Sequence, residues 1–159
     1  MGRLTAGPVP ARAGSSRSAP LLGLTGLVAL GGAVGTLVRW LLESAFAARP
    51  GEWPWVTFWI NLGGSLVLGV LLEWLLHAGP DRGRRRAVRL GVGTGLIGGF
   101  TTYSTFVLET VGLAQDGRVV VGVAYALVSI VLGVVAAGAG TGLVVTSRRW
   151  IARRRGEES

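Results

Sequence analysis

The sequence predicts an all-α integral membrane protein, a four-helix bundle whose third helix is broken. Half of its 159 residues are apolar and only 15% are charged, against about 25% charged in an average soluble chain. The apolar residues fall into four long runs parted by short polar segments, and at about 1.5 Å per helical residue each run can cross roughly 30 Å of hydrocarbon. The third run carries Gly91, Gly93, Gly95, Gly98 and Gly99 directly ahead of a hydroxyl-rich stretch, Thr101-Thr102-Tyr103-Ser104-Thr105. Each glycine costs a helix interior about 1 kcal/mol relative to alanine, and β-branched residues add to that.

Residues 1–20 are rich in Gly, Pro, Ala and Ser, with Arg3, Arg12 and Arg17 and no hydrophobic period. They read as a disordered tail. The first span, about 21–42, is uncharged until Arg39. Ala45-Phe46-Ala47 mimics a leader cleavage site, but the apolar stretch is too long for a leader, and Arg39 and Glu43 intervene. The second span, about 53–76, opens near Pro54 with Trp53, Trp55 and Trp59 at one interface and ends at Glu73, Trp74 and His77. Glu73 and His77 share a helix face and read as interface residues rather than as ligands. A Gly79-Pro80 turn leads through the basic cluster Arg82, Arg84, Arg85 and Arg86 into the third span, about 87–114. Residues 115–118 make a tight connection to the fourth span, about 119–146, so the membrane domain covers 21–146 and a basic tail covers 147–159. Gly31 and Gly35, Gly64 and Gly69, and Gly133 with Ala137 permit close helix packing.

All 16 basic residues are arginine, and the net charge is +8. They cluster at the ends of the apolar runs, which argues for membrane topology and against nucleic acid as a partner. With four spans, the N-terminal tail, the middle loop and the C-terminal tail share one side, which holds thirteen arginines, whereas the other side holds only Arg49 and Arg118. This bias predicts a multi-pass protein of the cell membrane with both termini in the cytoplasm. The absence of cysteine excludes disulfides, thiolate metal sites and cysteine nucleophiles, and a single histidine leaves no zinc cluster. Soluble, metal-dependent and redox enzyme classes fall away together.

On the residues alone, the third span admits two readings. A break would free carbonyls that, turned inward, form an oxygen cage for a hard cation such as Na⁺. Alternatively, the glycines make a packing face with Ser and Thr bonded back to carbonyls. Asn61 lies mid-span, where its amide can donate to an anion or bridge two helices. Tyr103 and Phe106 share a helix face, either as electropositive ring edges toward an ion or as core aromatics. Ser104 and Thr105 add rotatable donors. Tyr125 and Ser129 stand four apart on the fourth span, followed by Gly133 and Ala137. Arg39 suits either a vestibule that concentrates anions or a snorkelling anchor. Four helices leave little room for an internal pathway, so a functional unit calls for a second chain.

Three motifs together, Gly31-Gly32-Ala33-Val34-Gly35 with Arg39, Asn61 with Gly63-Gly64, and Gly98-Gly99-Phe100-Thr101-Thr102-Tyr103-Ser104-Thr105-Phe106, resemble the Fluc (CrcB) family of fluoride channels over about residues 24–142. The resemblance implies a channel rather than an enzyme: an antiparallel dimer of four-helix subunits that passively exports fluoride from the cytoplasm and so lowers its toxicity. It further implies a structural Na⁺ held by the backbone oxygens of Gly98 and Thr101. The implied ion path runs along Asn61, Tyr103, Ser104, Thr105, Phe106 and Glu109, with Tyr125 and Ser129 as secondary members and Arg39 at the vestibule. Tyr103 departs from the family pattern, which has Phe there. Glu109, a carboxylate in an anion path, must be protonated, engaged by donors or kept in a wet vestibule.

Two other functions compete. A small proton-coupled multidrug exporter needs a mid-depth carboxylate in the first span, which residues 21–38 lack. A non-conducting subunit of a membrane complex would leave the glycine-hydroxyl motif without purpose. Because the arginine bias favours one orientation, antiparallel pairing predicts as partner a related paralogue of opposite bias.

Overall fold

The computed structural model describes residues 18–49 and 51–157. Its helices are α1 (Ser18–Ala45), α2 (Trp55–Ala78), α3 (Gly83–Val88), a π-helical segment (Arg89–Ile97), α4 (Gly98–Phe100), α5 (Ser104–Gln115) and α6 (Val119–Glu157), with no strand among the described residues. Three of them, over residues 22–45, 55–78 and 119–156, are long and apolar enough to cross a membrane.

The boundaries depart from the sequence reading for local reasons. Residues 1–17 of the expected tail lie outside the described residues, whereas residues 18–20 already belong to α1. α1 also runs past Leu42, because the Arg39–Glu43 pair (2.9 Å) closes over its last turn. α2 begins one residue after Pro54, whose carbonyl accepts the Phe58 N–H at 3.1 Å. The basic tail is not a separate segment through Glu157: α6 continues over Arg148–Arg155, a stretch without glycine or proline in which arginine is a good helix former.

The third run is interrupted, but its glycines are not the gap. Gly98 keeps α-helical angles (φ −63°, ψ −35°), and the chain turns extended at Thr101 (φ −76°, ψ 155°). The interruption occupies Thr101–Tyr103, on the β-branched side of the motif. Upstream, the alternating Gly91, Gly93 and Gly95 lie in the wider π-helical turn, which the sequence reading did not anticipate.

α1 packs mainly on the π-helical segment and α4, while α2 packs on α6 and α5 joins α6. Glycine sets both approaches. A Cβ on Gly35 would strike the Leu96 carbonyl oxygen, and one on Gly69 would strike that of Ala137. Gly140, which the sequence reading passed over, meets the backbone at Leu66 and Val70 in the same way, whereas Gly133 makes only ordinary contact with Ser65. The small core joins Phe58, Leu113 and Tyr125, with Trp53, Leu62 and Phe106 against it. Leu30, Val34 and Leu37 on α1 and Val120, Leu127 and Val134 on α6 are exposed, as a lipid-facing surface requires.

Candidate functional site

The interruption is held open by side chains that replace helical hydrogen bonds. The Thr102 N–H, which in a continuous helix would bond the Gly98 carbonyl, instead donates to Asn61 Oδ1 at 2.8 Å. Asn61 Nδ2 donates in return to the Thr102 carbonyl at 2.9 Å. The asparagine thus acts as a peptide from a neighbouring helix, satisfying both backbone groups of one residue in the gap. Two groups emerge from this pairing: the second Nδ2–H of Asn61, and a Gly98 carbonyl without its in-register donor.

The same diversion recurs one step on. The Thr105 N–H, the in-register donor for the Thr101 carbonyl, goes to Thr102 Oγ1 at 3.1 Å. That hydroxyl also contacts Thr105 Oγ1 at 3.1 Å and Ser104 Oγ at 3.3 Å, so Thr102 is the hub of the hydroxyl run. Thr101 Oγ1 is bonded back to the Ile97 carbonyl at 3.0 Å. Of the freed carbonyls, that of Gly99 is covered by Arg39 Nε at 3.3 Å and Thr36 Oγ1 at 3.4 Å.

Arg39 is therefore a buttress of the break. Its guanidinium reaches both the Gly99 carbonyl and the Glu43 carboxylate, and the pair is largely buried.

A groove of about 330 Å³ opens beside the interruption, lined in part by Asn61, Thr101, Tyr103, Phe106 and Ser129. Tyr103 is 79% exposed, and its ring lies 6.3 Å from that of Phe106, so the two do share a face. Ser129 Oγ is buried at the groove wall with no partner among the described residues. Tyr125 is fully buried, with its ring 5.3 Å from that of Phe106. Its hydroxyl donates to Glu109 Oε2 at 2.8 Å, while Thr57 Oγ1 donates to Oε1 at 2.7 Å. Glu109 is thus engaged by donors on both oxygens, and it borders a second cavity of about 310 Å³ with Thr105, Glu43 and Arg49.

Asn61, Tyr103, Phe106 and Ser129 line the first groove, Thr105 and Glu109 border the second cavity, Ser104 and Thr105 are tied to the groove through the Thr102 hydroxyl, and Tyr125 bonds Glu109 beside Phe106. Thr57 and Thr102 belong with them and were missed. Thr57 had a readable signal: Thr57, Asn61 and Ser65 stand four apart and make one polar stripe along α2. Glu73 and His77 lie apart from this site and contact one another, with His77 Nδ1 at 3.3 Å from Glu73 Oε1. Among the described residues no group of three acidic, His or Cys side chains is placed to hold a metal.

Comparison with known proteins gives a consistent match. Residues 26–141 match the family model described as CrcB-like protein, Camphor Resistance (CrcB). The chain is 53% identical over 110 residues to the fluoride-specific ion channel FluC 1 of Cutibacterium acnes, covering 69% of this chain and 77% of that protein. It is 48% identical over 127 residues to FluC 2 of Leifsonia xyli, covering 79% and 87% respectively. It is 42% identical over 113 residues to FluC of Novosphingobium aromaticivorans, covering 69% and 86%.

Proposed function

The chain belongs to the CrcB-like family, and from that premise we propose that it is a fluoride-specific ion channel that passively exports fluoride across the cell membrane. The observation that carries this reading is the interrupted third helix, whose freed backbone groups and hydroxyls meet Asn61 and the Tyr103–Phe106 pair beside an open groove. Rotatable hydroxyls, an amide N–H and ring edges offer an anion several weak electropositive contacts. None is a fixed cation that would hold the ion too tightly to leave. The exporter alternative lacks its carboxylate, since the only acidic residue of α1, Glu43, is paired with Arg39. Reconstituted in proteoliposomes together with its partner subunit, the protein is expected to release fluoride far faster than chloride; equal release of both would overturn the reading.

The functional unit is a pair of four-span subunits in antiparallel arrangement. A polar interruption cannot face hydrocarbon, and the groove with its exposed Tyr103 needs a second chain to close it. The thirteen-to-two arginine bias favours both termini in the cytoplasm, which supports a related subunit of opposite bias as the partner. Reporters fused to the C-terminus are expected to read cytoplasmic only, and the chain expressed alone to conduct poorly until the partner is supplied. Split reporters together with full flux from the single purified chain would mark a dual-topology homodimer instead.

The carbonyls of Gly98 and Thr101 suit a structural Na⁺ at the centre of the pair, because both have lost their in-register donors to Asn61 and Thr102. Such an ion supplies fixed positive charge against the cost of bringing an anion into low dielectric. Thr101→Val is expected to retain Na⁺ dependence of assembly, since the Thr101 hydroxyl bonds only Ile97 and the carbonyl is untouched. A Cβ at Gly98 meets nothing closer than the Gly93 carbonyl at 3.9 Å, so crowding inside the chain is absent. Gly98→Val is therefore expected to weaken assembly through the partner while the subunit still folds. Anomalous scattering from a heavier monovalent cation that locates no ion near these carbonyls would remove the proposal.

A further inference from the structure

Two cavities flank α3, each bordered by the π-helical segment and neither lined by the Thr101–Tyr103 interruption. One, of about 450 Å³, has an apolar floor of Leu72, Leu75 and Leu76 and a rim of Pro80, Asp81, Arg85 and Arg89. The other, of about 470 Å³, has Leu27, Leu30, Val34 and Val92 below and Arg84 at its polar end. Each is thus an acyl-chain-sized apolar trough ending in a guanidinium. We propose that they bind anionic glycerophospholipid, with acyl chains in the troughs and the headgroup phosphates on Arg85 and Arg84.

Charge complementarity selects this occupant. Asp81 is the only acidic group of the two linings. It is already matched by Arg89, with bonds of 2.8 and 3.1 Å that hold its carboxyl below the usual range. The guanidinium groups of Arg84 and Arg85 make no hydrogen bond or ion pair among the described residues, and that of Arg85 rests against Gly79 at the mouth of its cavity. Unpaired guanidinium over leucine at a membrane–water boundary attracts a negative headgroup by about 1 kcal/mol per arginine. A neutral zwitterionic headgroup lacks the net charge to answer it. Arg153, Arg154 and Arg155, on the extension of α6, carry comparable charge but line neither trough.

The test is native mass spectrometry of the full-length protein extracted from vesicles of equal parts phosphatidylglycerol and phosphatidylcholine. Wild type is expected to retain phosphatidylglycerol preferentially. Arg85→Gln should lower that retention about fivefold, and Arg84→Gln with Arg85→Gln on the order of thirtyfold. Arg85→Lys should restore most of it. The triple variant Arg153→Gln, Arg154→Gln, Arg155→Gln should leave it within twofold of wild type. Elution of all variants at the wild-type position confirms the fold, which substitutions at these exposed helical positions should preserve. Added inorganic phosphate should not displace the lipid. Equal retention of both lipids, a matching loss in the triple variant, or full displacement by phosphate would each overturn the proposal. Fluoride efflux measured in parallel keeps a failure here separate from a failure of the channel assignment.

Discussion

Asn61→Asp is expected to reduce fluoride efflux from proteoliposomes to the level of protein-free vesicles. The substitution keeps one oxygen for the Thr102 N–H but replaces Nδ2, so a second oxygen faces the Thr102 carbonyl across about 2.9 Å. Losing a buried hydrogen bond with a carbonyl left unpaired costs about 1–3 kcal/mol, more when the new neighbour is charged. The same change places negative charge on the wall of the groove proposed to carry fluoride. Asn61→Ala separates the two effects, because it removes the clamp without adding charge. It is expected to lose most of the flux as well, since the register of residues 101–103 depends on both bonds. Efflux at the wild-type rate from Asn61→Asp would show that neither the clamp nor the amide donor serves conduction.

Gly35→Val should prevent recovery of folded protein. A Cβ there collides with the Leu96 carbonyl oxygen and stands 2.8 Å from the Phe100 N, both backbone atoms that cannot swing aside. Overpacking a core costs about 1–3 kcal/mol when side chains can move; here α1 itself must move away from α4. That displacement also pulls Arg39 from the Gly99 carbonyl and loosens the break. Gly26→Ala, on the same helix with nothing within 4 Å of its Cβ, is the control. It should melt at or slightly above wild type, by up to about 1 kcal/mol of helix propensity. Thermal unfolding in detergent, followed by size-exclusion chromatography, reads both variants. A wild-type melting curve for Gly35→Val would mean that α1 is not tightly seated.

Much of this protein is written locally. The four apolar runs, the arginine asymmetry and the glycine-hydroxyl motif of the third run are properties of neighbouring residues, because burial in lipid and helix propensity act over one or two turns. The all-α membrane class and the family resemblance followed from these alone, while the inward-turned break was one of two readings they left open. The aromatic face of Tyr103 and Phe106 was also legible, being a matter of three-residue spacing across the start of one helix. Helix ends were less so: α1 and α6 each outran their apolar stretch, since a salt bridge and good helix formers carry a helix beyond the hydrocarbon.

Only tertiary structure decided which groups meet at the break. Asn61 and Thr102 lie 41 residues apart, Thr57 and Glu109 lie 52 apart, and Arg39 reaches Gly99 across 60. Each residue had at least two satisfactory environments when read alone. A snorkelling arginine and a buttressing one share a sequence context, as do a channel asparagine and a helix-bridging one. A buried polar group is compelled to find a partner but not told which one, and that choice is made by the approach of helices whose closeness Gly35, Gly69 and Gly140 permit. The interruption therefore settled on Thr101–Tyr103, where Asn61 could replace the lost helical bonds, and left the flexible Gly98 and Gly99 within the helix.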